Sequence, residues 1–159
     1  MSCHRFRPAV LLAVLASLGH AALAAAPLRC TPSDPHQVRL QISVTGVRST
    51  AGRVTITIYP DDAAHFLDGK FKLARQSLPV GLPVTRACFA FAKPGYYAVA
   101  LFHDRDDSGH FKTTALGIPA EGFGFSNNPT LYFGPPALSR VRVKARFGDN
   151  PIAIRMKHY

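Results

Sequence analysis

Val38-Arg39-Leu40-Gln41-Ile42-Ser43-Val44-Thr45 places an aliphatic side chain at every second position and a polar one between. That is the period of an extended strand buried on one face; a helix would scatter the same aliphatics around its axis. Gly46 ends the run, residues 47–52 make a hairpin-length link, and Val54, Ile56 and Ile58 then alternate with Thr55 and Thr57 until Pro60. In Thr85-Arg86-Ala87-Cys88-Phe89-Ala90-Phe91 the two phenylalanines share one side, which leaves Cys88 on the other. After the turn Lys93-Pro94-Gly95, residues 96–103 are apolar on both sides of the alternation, the mark of a central strand covered on both faces. Near the C-terminus Val141, Val143, Ala145 and Phe147 alternate with Arg140, Arg142, Lys144 and Arg146. Gly148-Asp149-Asn150-Pro151 has the composition of a turn, and Ile152, Ile154 and Met156 continue against Arg155 and Lys157. The expectation is a hairpin with one oily side and one basic side.

About seven short strands separated by turn residues point to an all-β fold, a single antiparallel β-sandwich of the immunoglobulin or prealbumin kind. Residues 61–73 are ambiguous: Phe66, Leu67, Phe71 and Leu73 suit a short helix or an irregular crossing, and Gly69 weakens the helix. The longest stretch without a period, residues 104–138, carries Phe111, Phe123, Phe125, Tyr132 and Phe133, enough aromatic surface to pack it as one long ordered loop.

Residues 1–7 carry Arg5 and Arg7 and no acid, residues 9–18 are apolar or small, and Ala22-Leu23-Ala24 supplies a small-residue cleavage site. This is the pattern of a signal peptide over residues 1–24. Gly19-His20 interrupts the run short of the ~20 residues a spanning helix needs, so the product after cleavage is not expected to span a membrane. Leu28-Arg29 before Cys30 does not suit lipid attachment. Cleavage takes Cys3 and leaves Cys30 and Cys88, an even pair in an oxidising compartment, for which a disulfide is the default. No histidine lies near Cys88 in sequence to activate it as a reactive thiol. The domains expected are the leader, a segment at 25–37 tethered by the disulfide, and the sandwich at 38–159. The localisation expected is periplasmic or secreted.

Apolar residues make up 47% of the chain and charged ones 18%. That balance excludes an intrinsically disordered polymer. Of 19 Lys and Arg, Arg5 and Arg7 leave with the leader, so 17 face 9 Asp and Glu. Arg140, Arg142, Lys144, Arg146, Arg155 and Lys157 on one hairpin would focus a positive field suited to an anionic lipid or polysaccharide of the envelope. The plainer account is a solvated outer face that discourages edge pairing. Export makes nucleic acid an unsuitable partner.

The long loop holds HDRDDSG at 103–109, LGIPAEGFGFSNN at 116–128 and FGPP at 133–136. Their order and spacing resemble a family of exported bacterial proteins, the domain of unknown function 2141 family. The resemblance implies a small exported β-sandwich with no established activity. Ser108 and Ala120 depart from the family's usual residues, which weakens any site carried over from it.

Within that loop Asp104, Asp106, Ser108 and Gly109 have the one-three-five-six spacing of the start of a calcium loop. The twelfth position is Ala115 rather than Glu, so an EF-hand is excluded, although Asp107 or a remote acid such as Glu121 could complete a cage. The simpler alternative is a turn whose aspartates cap backbone N–H groups. His103 and His110 with Glu121 offer ligands for zinc or copper, at a spacing that is no recognised signature. Asp104 and Glu121 could also serve as the acid and base of a glycan hydrolase. Ser126 lacks the second glycine of a nucleophile elbow, and no phosphate-cradling loop occurs.

The function expected is therefore an exported, non-enzymatic binding or envelope-associated module needing no cofactor. Its ligand-binding loop would include His103, Asp104, His110, Glu121, Phe123, Phe125 and Asn127. A Ca²⁺-binding module and a small enzyme acting on envelope carbohydrate are the alternatives.

Overall fold

The computed structural model describes residues 30, 34–132 and 134–159. The expected leader, and the 25–37 segment apart from Cys30 and residues 34–37, lie outside the described residues, as does Phe133.

The chain forms β1 (Val38–Thr45), β2 (Arg53–Pro60), β3 (Ala74–Pro79), β4 (Thr85–Phe91), β5 (Gly95–Asp104), β6 (Phe123–Phe125), a one-turn α1 (Leu138–Val141), β7 (Arg142–Ala145) and β8 (Gly148–Arg155). One sheet has the order β4-β1-β8; the other runs β3-β2-β5, with β6 and β7 both paired to β5. β5 is long enough for both, β7 along Gly95–Ala98 and β6 along Ala100–Phe102. Leu40, Ile42, Phe89, Ile152 and Ile154 of the first sheet close on Val54, Ile56, Ile58, Val99 and Leu101 of the second. Each such side chain contributes roughly 1.5–3 kcal/mol by leaving water. The β-sandwich expected from the alternation is the fold. β3 and β6 carry no readable alternation, because β3 has one large aliphatic and β6 is three residues, too short to show a period.

The C-terminal hairpin does not form. β7 pairs antiparallel with β5 and β8 pairs parallel with β1, from Val38↔Gly148 to Thr45↔Arg155. The chain changes sheets after Ala145, and Asn150 holds the corner. Its Oδ1 accepts from the Arg146 amide at 2.9 Å, and its Nδ2 donates to the Arg146 carbonyl at 2.7 Å. Alternation reveals which side of a strand is oily and carries no information about its partner. The expected turn at 148–151 is the first half of β8, where Pro151 is tolerated because β8 is an edge strand. The cations of the expected basic face are accordingly divided between two sheets: Arg142 and Lys144 project from β7, and Arg155 from β8.

The five-stranded sheet has a third layer on its outer side. Tyr59, Ala98, Leu138 and Val141 are buried there, with Phe66, Leu67, Ala100 and Phe125 packed against them. This is why β5 is apolar on both faces. Residues 61–73, the ambiguous stretch, form the irregular crossing and not the helix. Cys88 points away from the core on β4 and is bonded to Cys30, with Cα atoms 5.4 Å apart. No helix among the described residues is long and apolar enough to cross a membrane.

Candidate functional site

The long loop leaves the last two residues of β5, whose side chains take opposite sides of the sheet. His103 turns inward, its Nε2 2.7 Å from the Ala51 carbonyl oxygen. Asp104 turns outward and is 0% exposed. Its Oδ1 accepts from the Ser108 amide at 2.9 Å and the Ser108 hydroxyl at 3.2 Å, and its Oδ2 from the Gly109 amide at 2.7 Å. The Asp-x-Asp-x-Ser-Gly segment is thus a turn closed by its own first residue, and Ser108 is directed at Asp104.

A remote acid joins the turn. Glu121 accepts from the Lys112 amide at 3.1 Å, and carboxylate oxygens of Asp104, Asp106 and Glu121 all lie within 4.8 Å of one another. Lys112 also sends its ammonium to Asp106. That hydrogen bond lowers the Asp106 carboxyl below its ordinary value and raises Lys112 above its own. Every buried side-chain polar atom among the described residues has a partner. His103 and His110 do not converge: one is buried against the Ala51 carbonyl, the other is exposed beside the cavity on the outer side. Asp104 is sealed from solvent and accepts from three donors within the turn.

Further along, the loop passes tightly over the sheet. A Cβ on Gly124 would lie 2.8 Å from Ile154 Cγ2, so only glycine lets β6 approach this closely. Ser126-Asn127-Asn128 then clamps four elements, β5, α1, β7 and β8. The Ser126 hydroxyl accepts from the Val99 amide at 3.0 Å and donates to the Val141 carbonyl. Asn127 donates to the Arg142 carbonyl at 3.0 Å. Asn128 donates to the Ala153 carbonyl at 2.9 Å and accepts from the Arg155 amide at 2.7 Å. Asn127, expected in the ligand-binding loop, has its amide bound to the protein itself.

Between loop and sheet lies a cavity of about 460 Å³. Its walls follow a belt of aromatic rings. Phe102 lies 5.7 Å from Phe111, Phe111 lies 6.0 Å from Phe123, and Phe123 lies 6.1 Å from Phe125, measured between ring centroids. Each pair takes the tilted or edge-on arrangement that rings favour. Tyr159 stacks on Phe123 at 5.6 Å and His110 stands at the rim. Phe123, Phe125 and His110 were legible as loop residues. The sheet contributes Tyr59, Ala100 and Arg75, which were not. Tyr59 is the odd aromatic on the threonine side of β2, a faint signal; Arg75 lies on a strand with no period. Burial pushes the Tyr59 hydroxyl above its ordinary value, and the guanidinium of Arg75 beside it offsets part of that.

The sequence profile of a family described as uncharacterized proteins conserved in bacteria, the domain of unknown function 2141, matches residues 42–153. The chain belongs to this family. The match runs from β1 to β8 and spans the long loop. No curated protein and no solved structure shows a significant match to the chain.

Proposed function

We propose that this member of the domain of unknown function 2141 family is an exported, non-enzymatic binding module whose ligand enters the cavity between the long loop and the five-stranded sheet. The cavity carries the reading: it measures about 460 Å³ and is lined by a belt of aromatic rings together with polar groups from Thr57, Tyr59, Arg75, His110 and Thr113. That size and that lining are those of small-molecule sites. The leader pattern at 1–24 and the disulfide support a periplasmic or secreted setting. The excess of cations supports a partner drawn from the anionic components of the envelope. The test uses a neutral fluorescent probe, N-phenylnaphthylamine. It binds the wild type saturably, and Ala100→Phe, which fills the cavity from the sheet side, abolishes the signal while the fold is retained. Equal binding by both proteins sinks the reading.

A second reading is favoured by the gathering of Asp104, Asp106 and Glu121. Three carboxylates, two of them buried, are donors of the kind Ca²⁺ takes. Calcium held there would draw Asp106 away from Lys112 and stiffen the loop at its root. Added Ca²⁺ then raises the melting midpoint of chelator-treated protein, and Glu121→Gln removes the increment. An unchanged midpoint in Ca²⁺ and in excess chelator sinks it.

A further inference from the structure

We infer, on the basis that the cavity is the binding site, that its ligand is a small amphiphile with one anionic head, seated with its apolar body among the rings and its head on Arg75. The walls supply the first half of the specification. The space available is about 460 Å³. With each water-sized group taking roughly 30 Å³, it holds about fifteen heavy atoms. Phe102, Phe111, Phe123 and Phe125 offer that body a continuous apolar surface. Such a volume admits a medium-length acyl chain or a fused pair of aromatic rings.

The charges supply the second half. The side chains of the described residues lining the cavity include no carboxylate. They include one arginine, Arg75, projecting outward from β3. Its Nε donates to Thr57 Oγ1 at 2.9 Å, which fixes the guanidinium against the sheet. Arg75 forms no ion pair among the described residues, where Arg39, Arg53, Lys112 and Arg142 each meet an aspartate. Its two Nη groups are a fork suited to two oxygens of one acid. The Tyr59 hydroxyl stands beside that guanidinium, with an O–H free to point at the same acid. Arg75 is exposed, so water solvates its guanidinium when no ligand is bound; a carboxylate replaces that water with a charge-assisted contact, which a neutral ligand does not supply. A cationic ligand is repelled.

Fatty acids and aromatic acids share this chemistry, and the experiment separates them. Binding to the full-length mature protein is measured by calorimetry for octanoate against octanol and for naphthoate against naphthylmethanol, in wild type, Arg75→Gln, Arg75→Lys and Lys144→Gln. The acid of at least one pair is expected to bind about tenfold or more tighter than its alcohol, the scale of one charge-assisted contact. Which pair shows it identifies the body as aliphatic or aromatic. The preference disappears in Arg75→Gln, is partly kept in Arg75→Lys, which restores charge without the fork, and is unchanged in Lys144→Gln, which removes the same charge from β7. Equal affinity of acid and alcohol in wild type overturns the inference and leaves the cavity reading standing. A preference that survives Arg75→Gln, or that Lys144→Gln also removes, overturns it as well, because the attraction then belongs to the overall charge. Absence of binding by all four compounds and by the neutral probe defeats the cavity reading, and the inference falls with it.

Discussion

A side chain on Gly52 would place its Cβ 2.0 Å from the carbonyl oxygen of Asp104. The link between β1 and β2 and the root of the long loop are therefore in backbone contact, through a residue whose φ of +72° is itself unfavourable for any side chain. Gly52→Ala meets both obstacles. A left-handed conformation costs about 1 kcal/mol, and relief of the clash must move the Asp104 turn. We expect a total loss of roughly 2–4 kcal/mol, seen as a lower urea midpoint. A midpoint within error of wild type contradicts the contact.

Asn128 joins the loop to β8 by two hydrogen bonds, with the Ala153 carbonyl and the Arg155 amide. Asn128→Ala removes both and leaves two backbone groups of an edge strand to water. At about 0.5–1.5 kcal/mol for each bond the loss is roughly 1–3 kcal/mol. Faster amide exchange at Arg155, with β1 and β2 unaffected, is the local signature. Uniform destabilisation with no local change would assign Asn128 a different role.

The link between Asp106 and Lys112 sets a pH window for the loop. Asp106 is depressed below 3.8, so its contribution is present above that ordinary value and is lost as pH falls through the lower folded value. Lys112 is raised above 10.5, so its contribution is complete below that value and is lost only as pH rises past the higher folded one. The difference in melting midpoint between wild type and Asp106→Asn is expected to be flat from about pH 5 to pH 9 and to close in acid. Both groups are exposed, so added salt shrinks the difference. A difference that persists at about pH 2 rules out the pairing as its source.

Alternation made the strands legible because each has one face in water or two faces under cover, and side-chain period records that directly. It located β1, β2, β4 and β5, the inward side of the first three and the cover over both faces of β5. It could not assign partners: β7 and β8 look like a hairpin because a short stretch of turn-like composition separates their two alternating runs, yet the corner at Asn150 sends them to different sheets. The loop's importance was legible from its length and aromatic content. Its cavity was not, since that depends on Tyr59 and Arg75, which reach it only through sheet pairing of Thr57 with Arg75. Glu121 stood out as a remote acid able to join Asp104 and Asp106, whereas His103 did not join them, because the parity of β5 sends it to the other side.

The disulfide and the cavity are on opposite sides of the molecule, and this separates stability from binding. Cys88 faces outward from the three-stranded sheet, while the cavity lies outside the five-stranded one. The bond closes a span of 58 residues and limits the unfolded chain. In the chain-entropy account that is worth roughly 4 kcal/mol. Replacing both cysteines by serine is expected to lower the melting midpoint by many degrees. Below both melting transitions, the affinity for N-phenylnaphthylamine should be that of wild type, because no element lining the cavity is tethered by Cys30. Loss of binding in a protein that is still folded would mean that the two sheets transmit strain between these sites, and that the cavity depends on the first sheet as much as on the second.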